Sequence, residues 1–73
     1  MIDLKIGDYV SFNYDEPQLL YRVLDIKIYE DGKGYFLYYN EEYQDTGWER
    51  FEYIARVFEV KEKGQEWINY VKN

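Results

Sequence analysis

A chain of 73 residues with no Cys and no His has neither disulfides nor the usual zinc ligands to hold it, so a single domain must be stabilised by packing alone. Ten Tyr, four Phe and two Trp supply that packing, each ring burying about 150–250 Å². Fifteen acidic against nine basic residues leave a net charge of −6, which argues against direct nucleic-acid binding and permits a basic protein or peptide as partner.

Five short strands and a C-terminal helix are predicted, the strands within about residues 6–60 and the helix over about 63–72. The opening "MIDLKIGDYV" has no positive segment before a long apolar run, so no signal peptide is expected. No apolar stretch reaches the ~18–20 residues of a membrane span. The expectation is a soluble, cytoplasmic protein, monomeric or weakly dimeric. After the turn pair Gly7-Asp8, Val10, Phe12 and Tyr14 alternate with Tyr9, Ser11 and Asn13, the period of a half-buried strand. Pro17 marks a loop, because it cannot donate to a ladder.

The second run, "LLYRVLDIKIYE", sets Leu20, Leu24, Ile26 and Ile28 on one parity and Tyr21 and Val23 on the other. Apolar residues of both parities predict a strand that bends. Asp31-Gly32 and Gly34 then signal a hairpin. The returning "YFLYYN" is apolar on both faces and should be central or cover a second surface, with Leu37 towards the core. "EEYQDTG" reads as a polar loop that leaves Tyr43 in solvent, "WERF" as the fourth strand, "EYI" as a tight turn and "ARVFEV" as the fifth strand. In the tail, Trp67, Tyr70 and Val71 stand at i, i+3 and i+4, one face of a helix that must dock to be stable. Short strands, a bent second strand and a one-turn break before the last predict a mainly β fold, a five-stranded SH3-like barrel whose curled sheet limits exposed edges.

"IGDYVSF", "YRVLDIKIYEDGKGYFLYYN" and "WERFEYIARV" together resemble the Tudor and chromo-barrel group of SH3-like domains over roughly residues 6 to 58. That resemblance implies a cage of rings around a methylated lysine or arginine, and by position Tyr14, Tyr39, Tyr43 and Trp48 would form it. Where chromo-barrels carry an Asp-Glu-Trp run, this chain has Asp45-Thr46-Gly47-Trp48-Glu49, with the carboxylates redistributed around the Trp. Composition adds a clue to origin. Ala55 is the only alanine, whereas residues with AT-rich codons abound, which suggests a low-GC bacterium or one of its phages.

Tyr38, Tyr39, Tyr43 and Trp48 can act in two ways, as ring faces for a cation or as cross-strand pairs that hold a small sheet together. The carboxylates of "NEEYQD" do not have the spacing of a calcium loop, and no metal or other cofactor is expected. Without His or Cys the usual general base and best nucleophile are missing, so no enzyme is expected. The function read from these residues is a non-enzymatic protein-interaction domain, with Tyr14, Tyr39, Tyr43, Trp48, Asp45 and Glu49 facing a basic peptide or protein surface. The alternative is an acidic inhibitor, phage-encoded, that mimics nucleic acid on a nucleic-acid-binding protein.

Overall fold

The computed structural model describes residues 3–72, and in it the apolar runs become five antiparallel strands and one C-terminal helix. The strands are β1 (Tyr9–Phe12), β2 (Tyr21–Ile28), β3 (Gly34–Asn40), β4 (Asp45–Arg50) and β5 (Ile54–Phe58). A 3-10 turn (Phe51–Tyr53) separates β4 from β5, and the helix is α1 (Lys61–Lys72). One sheet holds all five strands in the order β4-β3-β2-β1-β5. Among the described residues β4 and β5 share no ladder; the 3-10 turn carries the chain from one end of the sheet to the other. There Tyr53 accepts a 2.9 Å hydrogen bond at its carbonyl from the Asn13 backbone N–H. No described helix is long and apolar enough to cross a membrane.

The register divides the side chains between two faces. Val10 lies opposite both Tyr21 and Val57, Phe12 opposite Ile54, Val23 opposite Tyr38, and Ile26 opposite Phe36. Paired residues point the same way, so these form one inner face, and Val10, Phe12, Tyr21, Val23, Phe36 and Ile54 are its buried core. Phe12 and Phe36 meet at its centre with ring centroids 5.7 Å apart. β3 is central as expected, between β2 and β4. Leu37, however, is only half-buried and faces away from Phe36, so Phe36 rather than Leu37 is the core residue of this strand.

The mixed parity of β2 is resolved by a register shift between Val23 and Asp25. Before it, Tyr21 and Val23 face the core; after it, Ile26 does, and Leu24 is the extra residue of the bulge, 40% exposed. A bulge bends its strand and increases the local twist.

Helix α1 lies on the outer face. Its Trp67 ring stands 5.9 Å from Phe58, and the Arg56 guanidinium lies 5.1 Å over the same ring. The expected docking stripe of Trp67, Tyr70 and Val71 is corrected, because Tyr70 is 76% exposed while Gly64 and Ile68 are buried. Gly64 sets this rotation, since a Cβ there would lie 2.6 Å from Leu20 Cδ1 and 3.1 Å from Phe58 Cδ2. The missing side chain lets the helix settle closely, and Ile68 follows one turn later. Ser11, expected on the exposed parity, is fully buried on the face that α1 covers, with no hydrogen-bond partner for its hydroxyl.

Candidate functional site

At one mouth of the inner face the core's aromatic packing runs out into solvent. Tyr14, two residues beyond Phe12, stacks on the Phe12 ring at 5.2 Å and 28°. It also meets Tyr53 edge-on at 5.5 Å. Tyr38 stands edge-on to both Phe12, at 5.4 Å, and Tyr21, at 5.2 Å. Three remote segments therefore bring Tyr14, Tyr38 and Tyr53 together: the end of β1, the middle of β3 and the 3-10 turn.

β4 adds the charge. Tyr38 lies opposite Gly47, and Asp45 and Glu49 sit two residues to either side on the same face of the strand. Gly47 leaves room for the ring, since a Cβ there would approach the Tyr38 hydroxyl to 3.0 Å. The Tyr14 hydroxyl donates to Glu49 Oε2 at 2.8 Å, and the Tyr21 hydroxyl donates to Asp15 Oδ2 at 2.9 Å. Among the described residues none of Asp15, Asp45 and Glu49 is ion-paired with a basic side chain. The carboxylates are spaced around the rings rather than converging, and no described cluster of three acidic side chains could hold a metal ion.

These contacts hold the phenols neutral. Tyr14 and Tyr21 are pushed well above the ordinary tyrosine value, first by burial and then by the hydrogen bond to a carboxylate and its charge. Tyr38 is raised too, by burial and then by Asp45 and Glu49. A folded-state pKa above the unfolded value of 10.0 gives stability that is complete below that pH and is lost as pH rises past it. Tyr21→Phe should therefore flatten the alkaline fall in stability, measured by urea denaturation across that range. At neutral pH the same change should cost about 1 kcal/mol, the worth of the hydrogen bond.

The structure gathers Tyr14, Asp45 and Glu49 and separates them from the other proposed residues. Trp48 pairs with Leu37, and Tyr39 with Thr46, so both rings occupy the outer face, Trp48 49% exposed. Tyr43 is 64% exposed in the β3–β4 turn, its backbone N–H donating to Asn40 Oδ1 at 2.7 Å. One cage of Tyr14, Tyr39, Tyr43 and Trp48 is thus not assembled; strand alternation puts Tyr39 and Trp48 on the far side of the sheet from Tyr14. Tyr21, Tyr53 and Asp15 belong to the cluster without having been singled out in the sequence. Asp15 adjoins Tyr14, whereas Tyr21 and Tyr53 arrive only through the fold. No known protein family, curated protein or solved structure matches this chain, and the cluster is read from its own geometry.

Proposed function

We propose that this is a non-enzymatic interaction domain whose ring-and-carboxylate mouth receives a lysine or arginine side chain of a basic peptide or protein. The observation that carries this reading is the coincidence, at one mouth, of the Tyr14, Tyr38 and Tyr53 rings with the un-ion-paired carboxylates Asp15, Asp45 and Glu49. Ring faces attract a cation through their quadrupole, and the carboxylates add attraction and direction. We further propose that the sheet is an SH3-like barrel of the Tudor-like kind. The strand order, the bent β2 and the 3-10 turn between β4 and β5 support this.

The test is titration with a labelled arginine- and lysine-rich peptide, using Tyr14→Ala combined with Glu49→Gln. The double variant should stay folded by circular dichroism and bind about tenfold more weakly, the loss of roughly 1.4 kcal/mol of contact. Unchanged affinity would remove the mouth from the binding surface. Binding that collapses steeply with salt, rather than persisting through ring contact, would instead favour the nucleic-acid-mimicking inhibitor.

A further inference from the structure

The outer face carries a concavity, on the side of the sheet away from the ring cluster. Tyr9, Arg22 and Tyr39 stand side by side on β1, β2 and β3, because the register pairs Tyr9 with Arg22 and Arg22 with Tyr39. Over this row α1 sends Lys61, Gln65, Ile68 and Lys72, which recur at i, i+4, i+7 and i+11 and so form one stripe of the helix. Leu20 and the Asn40–Glu42 turn close the remaining sides, and the groove encloses about 290 Å³. That volume lies at the small end of ligand pockets, which span roughly 300–1,000 Å³. It suits a small molecule better than a folded partner.

The charges in the groove run against those of the chain. Arg22, Lys61 and Lys72 line it with Glu41 and Glu42, a local excess of positive charge on a protein of net charge −6. Lys61 is engaged, 2.7 Å from Glu41 Oε2. Arg22 lies within range of the Glu41 charge, yet it forms no ion pair among the described residues. An arginine is a planar fork of donors that matches a carboxylate at two points. Here Arg22 stands exposed between Tyr9 and Tyr39, and Leu20 and Ile68 supply apolar wall for whatever carries the charge.

We propose that this groove binds a small organic carboxylate, with Arg22 holding the carboxyl group and the apolar body lying against Leu20 and Ile68. The site is independent of the mouth, on the opposite face of the sheet. Sodium benzoate is the probe, benzamide its neutral counterpart, and a hexaglutamate peptide stands for an acidic protein partner, each titrated into the isotopically labelled chain and followed by NMR.

Benzoate should shift the amide signals of Arg22, Tyr39 and Gln65 saturably, and benzamide should not. Arg22→Gln, a change at an exposed position, should keep the dispersed spectrum of a folded chain and weaken benzoate binding at least about tenfold. Arg22→Lys should recover only part of that loss, since an ammonium is a point charge without the fork. Glu49→Gln should leave benzoate binding unchanged. Equal binding of benzamide, unchanged binding in Arg22→Gln, tighter binding of hexaglutamate, or no shift up to about 10 mM benzoate would each overturn the proposal.

Discussion

Phe36→Ala should strip this protein of a large part of its stability, about 3–5 kcal/mol. The ring is fully buried in the middle of β3 and is the hub of the inner core, 5.7 Å from Phe12, 6.0 Å from Phe51 and 6.5 Å from Tyr38 between centroids. Truncating a buried Phe costs about 3–5 kcal/mol through lost transfer energy and the cavity left behind. At 0.05–0.15 kcal/mol per residue, a chain of 73 residues has roughly 4–11 kcal/mol in total. The loss thus consumes about a quarter or more of the stability, and no disulfide stands in reserve. The check is urea denaturation followed by tryptophan fluorescence, with Leu37→Ala for comparison. Leu37 is the next residue but half-buried on the other face, so its truncation should cost about 1–2 kcal/mol, below the 2–5 kcal/mol of a fully buried leucine. Equal costs for the two would contradict the assignment of inner and outer faces.

That comparison also marks how far the sequence could be read. Strand existence was legible from local signals: the alternation of Val10 and Phe12, the Gly32 turn, and the break that became the 3-10 turn. The inner residue of β3 was not, because "YFLYYN" is apolar on both parities and only a neighbour's register chooses between them. The same holds for Trp48. A fourth strand beginning at Trp48 leaves its partner undefined, whereas the observed start at Asp45 sets Trp48 opposite Leu37, on the outer face. Asp45 and Glu49 were found only as acidic neighbours of Trp48; the strand start at Asp45 sets both on the face of Tyr38 instead. Tyr21 and Tyr53 could not, since they reach the cluster from other elements. The buried Ser11 had no signal of its own; it is covered only because a helix packs on a face that the strand pattern marks as polar.

Gly34→Ala should destabilise the fold and weaken the mouth together, through Phe51. Gly34 opens β3 opposite Ile28, and a Cβ there would lie 2.9 Å from both Cδ2 and Cε2 of Phe51 and 3.0 Å from its Cγ. At Gly47 the nearest atom is the hydroxyl at the tip of Tyr38, 3.0 Å away. At Gly34 the obstacle includes the base of a ring packed 6.0 Å from Phe36, so the ring and its backbone must move. Overpacking of this kind costs about 1–3 kcal/mol, against which the lower backbone entropy of alanine returns about 0.5–1 kcal/mol. A net loss of up to about 2.5 kcal/mol is expected in urea denaturation. Phe51 also begins the 3-10 turn that carries Tyr53 to Tyr14, so the displacement should reach the ring-and-carboxylate mouth. The decisive measurement is the double-mutant cycle with Phe51→Leu. The smaller side chain should cancel most of the Gly34→Ala penalty, a coupling of at least about 1 kcal/mol, whereas simple additivity would mean that Gly34 is not held by its contact with Phe51.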